Sequence, residues 1–97
     1  MKLRWTEQAR RDLVAIGRYI AQDQPSAARR WVDKLRQQAQ RAVEAPRSGR
    51  KVPEFDREDL REILFRGYRI VYALRGETIE VLTVFEGHRL LRFPEEG

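Results

Sequence analysis

The chain has no cysteine. Disulfides, thiol nucleophiles and cysteine-based metal sites are excluded with it. There is one histidine, His88, so a metal site built from protein ligands would have to rest on carboxylates. No carboxylate cluster at ligand spacing stands out, and neither a metal nor another cofactor is expected. No apolar run approaches the roughly 18 residues of a membrane span. The first residues, MKLRWTEQARRDL, lack the apolar core of a secretory signal. The expectation is a cytoplasmic protein that does not engage a membrane. Internal repeats and low-complexity tracts are also missing. At 97 residues the chain fits one domain, residues 1–97. A domain this small buries only about two-thirds of the surface its unfolded chain exposes, so a partner can matter to it.

Charge is abundant and unevenly spread. Residues 1–53 carry 13 Lys/Arg against 5 Asp/Glu, a balance of +8, while residues 54–97 carry 7 against 10, a balance of −3. Of the 20 basic residues 17 are Arg, whose planar guanidinium suits bidentate contact with carboxylate or phosphate. The natural partner of such a half is an acidic protein segment or a nucleic acid. The alternative is a solvated surface with no partner.

Lys2–Trp5 alternates apolar and polar residues as a first strand would. Thr6 is suited to cap a helix, and Ala9, Leu13, Ile16 and Ile20 recur at helical spacing behind it. Pro25 disfavours helix in the residue before it, so this helix should end near Asp23 and Gln24. A second helix opens at Pro25 or Ser26, with Ala28, Val32, Leu35, Ala39 and Ala42 as its stripe and Trp31 widening it. Arg10, Arg11, Arg18, Arg29 and Arg30 fall off the two stripes. Two such helices joined by a few residues predict an antiparallel hairpin. Residues 1–44 therefore read as a short strand plus a helical hairpin. Residues 45–59 read as a charged loop with Pro and Gly, long enough to be functional or mobile. Residues 60–91 read as antiparallel strands at 60–65, 68–74 and 78–85, with tight turns at Arg66-Gly67 and around Gly76. The fold class is α+β: an N-terminal helical hairpin packed on a small antiparallel β-sheet.

The bulkier alternation, Tyr68, Ile70, Tyr72 and Leu74 with Ile79, Val81, Thr83 and Phe85, is expected beneath the helices. Arg69 then shares the other face with Leu82 and Val84, and with His88 if no bulge intervenes. That half-apolar, half-charged face suits docking. Arg69 can bind a phosphate or stabilise an oxyanion, or else pair with Glu54, Glu62 or Glu80. His88 has the only reference pKa near neutrality and can act as a general acid or base, or sit exposed. Glu54 can be a base near His88 or a salt-bridge partner. Together a Glu, an Arg and a His can cleave RNA by activating a 2′-hydroxyl, stabilising the phosphorane and protonating the leaving oxygen. Trp5, Trp31, Phe55 and Phe65 read as core or cover rather than as a stacking platform for a single strand.

Several short pieces, in order and at fixed spacing, resemble the RelE/ParE superfamily of bacterial type II toxins, most closely its ParE-like branch, also labelled plasmid stabilisation proteins. They are Trp5-Thr6 with Ala9, Asp12-Leu13 and Ile16; Tyr19-Ile20-Ala21; Pro25 with Ala27-Ala28; Pro46 with Gly49-Arg50; Val52-Pro53-Glu54-Phe55; Arg61-Glu62; Tyr68-Arg69-Ile70-Val71-Tyr72; and Gly87-His88-Arg89. The resemblance covers nearly the whole chain. It implies the RelE/ParE-like fold and a growth-inhibiting toxin neutralised by a cognate, ParD-like or related antitoxin with an acidic wrapping segment. ParE-like members poison DNA gyrase by binding. RelE-like members cut mRNA on the ribosome, and the resemblance places Glu54, Arg69, His88 and Arg89 at positions those nucleases use. The C-terminal tyrosine and the lysine-rich strand of the nucleases have no counterpart here, since the tail after Arg89 reads LLRFPEEG and the first strand of the C-terminal half offers only Arg61. The expectation is a gyrase-binding toxin, with a ribosome-dependent mRNA endoribonuclease as the alternative. The residues expected to meet a partner are Arg10, Arg11, Arg18, Arg29, Arg30, Arg50, Arg61, Arg69, Leu82 and Val84.

Overall fold

The structure, a computed structural model, describes residues 1–87. Its elements run β1 (Lys2–Trp5), α1 (Glu7–Asp23), α2 (Pro25–Glu44), β2 (Arg50–Lys51), β3 (Leu60–Phe65), β4 (Tyr68–Arg75) and β5 (Thr78–Glu86). The hairpin turns on one residue. Gln24 ends α1 by donating its N–H to the Ile20 carbonyl at 2.8 Å, and its own carbonyl accepts from Ala27 and Ala28. Pro25, with no N–H to lose, takes the first position of α2.

The two helices lie against one face of a five-stranded sheet of order β1-β5-β4-β3-β2. The sheet is mixed rather than purely antiparallel, because β1 pairs with β5 in parallel register, Lys2 opposite Thr78. Between those strands lies a crossover through the whole hairpin, which is the kind of connection a parallel pair requires. The segment 45–59 is also less of a loop than its composition predicts. Arg50 and Lys51 pair with Glu62 and Arg61 and form an edge strand too short to show a pattern.

Arg66 and Gly67 both take positive φ, 48° and 86°, as a two-residue I′ hairpin turn demands. Gly76 and Glu77 make the next turn, with Gly76 at φ 61° and Arg75 opposite Thr78. From that turn an uninterrupted ladder would bring Arg69 opposite Val84. The register instead shifts between Val71 and Tyr72: Tyr72 faces Val81, Val71 faces Thr83, and Leu82 is the extra residue of a bulge. Arg69 therefore lies opposite Phe85.

This bulge corrects the predicted faces. Val84 joins Ile70, Tyr72, Ile79 and Val81 in the core beneath Ala9, Leu13, Leu35, Ala39 and Ala42. Phe85 turns to the opposite face, where with Leu82 and Phe55 it packs against Val52, Leu60, Val71 and Ala73. The backbone groups that the bulge takes out of the ladder are satisfied from α1. The Thr6 hydroxyl donates to the Leu82 carbonyl at 2.9 Å while accepting from the Ala9 N–H at 3.0 Å. The Asp12 carboxylate accepts from the Val84 N–H at 2.9 Å and the Thr83 hydroxyl at 2.6 Å. One cap residue and one acid thus pin the first helix to the bulge.

Candidate functional site

On the sheet face away from the helices, Arg69 of β4 is the centre of a buried ion network. Its Nε donates to Glu62 Oε1 at 2.7 Å. Its Nη1 and Nη2 donate to the two oxygens of Glu54 at 2.7 and 2.6 Å, a bidentate fork. The guanidinium carbon lies 5.1 Å from the centre of the Phe85 ring. The second oxygen of Glu62 accepts from Arg50 Nε. The Arg69 side chain is 5% exposed, that of Glu62 0% and that of Glu54 20%. Opposite charge beside each buried group, Glu62 and Glu54 on Arg69 and Arg50 on Glu62, is the condition for burying it. The Glu54 carboxylate above all, with Glu62, holds the Arg69 pKa above its ordinary value, while burial pulls the other way.

The segment 46–62 is also tied to the helix side of the sheet. The Tyr72 hydroxyl, rising from the fully buried ring, donates to the Pro46 carbonyl at 2.7 Å. Burial pushes this phenol above its ordinary pKa. At Gly49 a Cβ would collide with the Tyr72 hydroxyl and meet the Glu62 carbonyl at 2.9 Å, so the close approach requires glycine. Arg61 reaches Glu58 at 2.7 Å and the Gly49 carbonyl at 3.2 Å, and its side chain is 12% exposed. The Pro46, Gly49-Arg50, Val52-Pro53-Glu54-Phe55 and Arg61-Glu62 pieces thus form one strap that grips the β3 side of the sheet, through Tyr72 and Arg61 on the helix side and through Glu54, Glu62 and Val52 on the far face.

Of the candidate nuclease residues, Glu54 and Arg69 meet, and they meet as an ion pair. His88 and Arg89 lie outside the described residues. Glu80 pairs with Arg75 at 2.9 Å rather than with Arg69. Arg10, Arg11, Arg18, Arg29 and Arg30 are exposed on the helices, where Arg11–Glu7 and Arg29–Asp33 are solvated pairs of small energetic weight. Arg18, Arg29 and Arg36 rim an open groove of about 540 Å³ between α1 and α2, floored by Leu13, Gly17 and Val32. Arg50 and Arg61 are engaged in the strap, Arg69 is buried, Leu82 packs on the far face, and Val84 lies in the helix-side core. Sequence reasoning missed Asp12 as the brace of the bulge. The available signal was its position four residues before Ile16, a carboxylate on the apolar side of α1. Among the described residues no cluster of His, Asp or Glu is arranged to hold a metal, and no helix is long and apolar enough to cross a membrane.

The profile of the ParE toxin of type II toxin–antitoxin systems, parDE, matches residues 3–91. The chain belongs to the ParE toxin family. A curated family relative, "Putative toxin Y4kP" of Sinorhizobium fredii, is 34% identical over 90 residues, covering 91% of this chain and 90% of its own. Among solved structures, the chromosomal ParDE system of P. aeruginosa superposes with a TM-score of 0.76 at 24% identity, over 89% of this chain and 95% of that one. A mutant E. coli toxin RelE in complex with an antitoxin RelB peptide superposes with a TM-score of 0.65 at 22% identity, over 91% of this chain and 84% of that one. Both likenesses are of fold.

Proposed function

We propose that this ParE-family toxin acts by binding, with DNA gyrase as its target, and that a cognate ParD-like antitoxin neutralises it in the cytoplasm. The observation that carries the reading is the buried ion pairing at Arg69. The pair that a nuclease would need, Glu54 and Arg69, is spent on holding the strap to the sheet. Purified gyrase incubated with the toxin should accumulate trapped, cleaved DNA, and mRNA on ribosomes should stay intact. The endoribonuclease reading keeps one observation in its favour, the direct contact of Glu54 with Arg69. Ribosome-dependent mRNA cutting that vanishes in His88→Ala would establish that reading and overturn ours.

The antitoxin reading draws on the basic half. The groove rimmed by Arg18, Arg29 and Arg36, the last two paired with Asp33, joins an apolar floor to a rim of net positive charge, which suits an acidic amphipathic segment. Steering by that field predicts that antitoxin association slows as salt rises. An on-rate indifferent to salt would remove the electrostatic part of the reading.

A further inference from the structure

The second helix carries more positive charge than its own acids balance. Along Pro25–Glu44 stand five Arg/Lys against two Asp/Glu. Asp33 is shared by Arg29 at 3.9 Å and Arg36 at 3.5 Å. Arg30, Lys34 and Arg41 are exposed and hold no carboxylate among the described residues. The Arg30 guanidinium donates to the Ser26 carbonyl of its own helix at 3.4 Å. With Gln37 these residues recur at spacings of 4, 3 and 4, which makes one stripe along α2. The stripe runs on the opposite flank of the helix from Ala28, Val32 and Arg36 of the groove. On the stripe's own side Arg66 joins it. The Arg66 guanidinium carbon lies 5.6 Å from the centre of the Trp31 ring and 5.5 Å from that of Phe65. Held by rings rather than by a carboxylate, this guanidinium keeps its N–H donors for an anion.

We propose that this stripe binds the phosphate backbone of duplex DNA. The exposed large apolar side chains among the described residues are Met1, Val14, Tyr19 and Leu64, and none of them is on α2. A protein segment needs such anchors, because the centre of a protein interface is depleted in charge. Phosphates need none: they are met by Arg, Lys and Gln side chains, the types that form the stripe. A single strand would need open rings on which to stack its bases. Trp31 is instead half-buried against Phe65 and Tyr68, with ring centres 6.5 and 6.4 Å away. Duplex RNA presents 2′-hydroxyls that donate as well as accept, and the only acceptor side chain within the stripe is Gln37. From Arg30 to Arg41 the helix rises about 16 Å, the rise of about five phosphates on one DNA strand. An antitoxin segment seated in the groove leaves the stripe open. The ligand is DNA itself, so binding at the stripe stands or falls apart from the gyrase reading.

The test is the fluorescence anisotropy of a labelled DNA duplex of about 20 base pairs, titrated with the full-length toxin between about 50 and 200 mM salt. Contacts from Arg30, Lys34, Arg41 and Arg66 predict a slope of log K against log salt of about −3 to −4. Lys34→Gln with Arg41→Gln should flatten that slope by about 2 and weaken binding about tenfold or more at the lowest salt. Lys2→Gln with Arg4→Gln removes the same charge from the far face of the sheet, since Leu3 and Trp5 between them turn to the helix-side core. That pair should leave the slope within about 0.5 of the wild type. All four side chains are exposed, so both variants keep the core intact. Equal losses in the two pairs, or a wild type that does not bind the duplex, overturn the proposal. So does tighter binding of the wild type to an RNA duplex of the same sequence, or to polyglutamate of equal charge.

Discussion

Replace Glu62 with Ala and the two guanidiniums it serves fare differently. Arg50, its side chain 54% exposed, can turn to water, whereas Arg69, 5% exposed, cannot. Removing one partner of a buried ion pair costs about 3–5 kcal/mol, because the remaining charge is left without compensation. Arg69 keeps its fork to Glu54, which sets the loss at the lower end, about 3 kcal/mol. For a domain of this size each kcal/mol moves the thermal midpoint by about 4–8 °C, so Glu62→Ala should melt about 12–24 °C below the wild type. Glu62→Gln keeps the volume and one acceptor and should lose about 1–3 kcal/mol. Glu54→Ala, at the exposed rim of the network, should lose about 1–2 kcal/mol. Circular-dichroism melts and urea titrations with an unchanged slope read these values. A Glu62→Ala variant within about 0.5 kcal/mol of the wild type would refute the view that this network holds the strap to the sheet.

Gly49→Ala should cost about 1–3 kcal/mol, since the added Cβ drives the Tyr72 hydroxyl off the Pro46 carbonyl; a neutral melt would contradict the close approach. Thr6→Ala should cost about 1–2 kcal/mol through the lost cap and the orphaned Leu82 carbonyl, measured by urea unfolding. Asp12→Ala leaves the Val84 N–H without its acceptor, and that amide should exchange with deuterium faster while amides of β3 do not change. Burial raises the pKa of the Tyr68 and Tyr72 phenols in the folded state. Their contribution is therefore complete below the unfolded value of about 10 and is lost as the pH rises through the folded values, so stability should fall above about pH 10. Tyr72→Phe should flatten that fall in alkaline melts.

Much of this was legible in the sequence because it rests on local rules. Helical spacing marked the stripes from Ala9 and from Ala28, Pro25 marked the break, and Arg66-Gly67 and Gly76 marked tight turns, the register at Gly76 being left open. The ParE-like pieces named the family. What was not legible is long-range. The edge strand Arg50–Lys51 is two residues long, below the length at which alternation carries a signal. The parallel pairing of Lys2–Trp5 with Thr78–Val81 joins residues far apart in the chain, which no local pattern encodes. The bulge at Leu82 depends on Thr6 and Asp12 of another element, so the strand alone could not announce it, and the slip moved Val84 and Phe85 to opposite faces. At the candidate site, Glu54, Glu62 and Arg69 were all in view as possible pairs. That all three meet at once, with Arg50 behind them, needed the geometry.

The most direct measurement is a DNA-cleavage assay with purified gyrase and the full-length toxin, run beside its His88→Ala variant. A toxin that acts by binding should trap cleaved DNA to the same extent in both forms, and its cognate antitoxin should suppress the signal. Contradiction would come from a wild type that traps no gyrase–DNA complex yet cuts mRNA on ribosomes, with the cutting lost in His88→Ala.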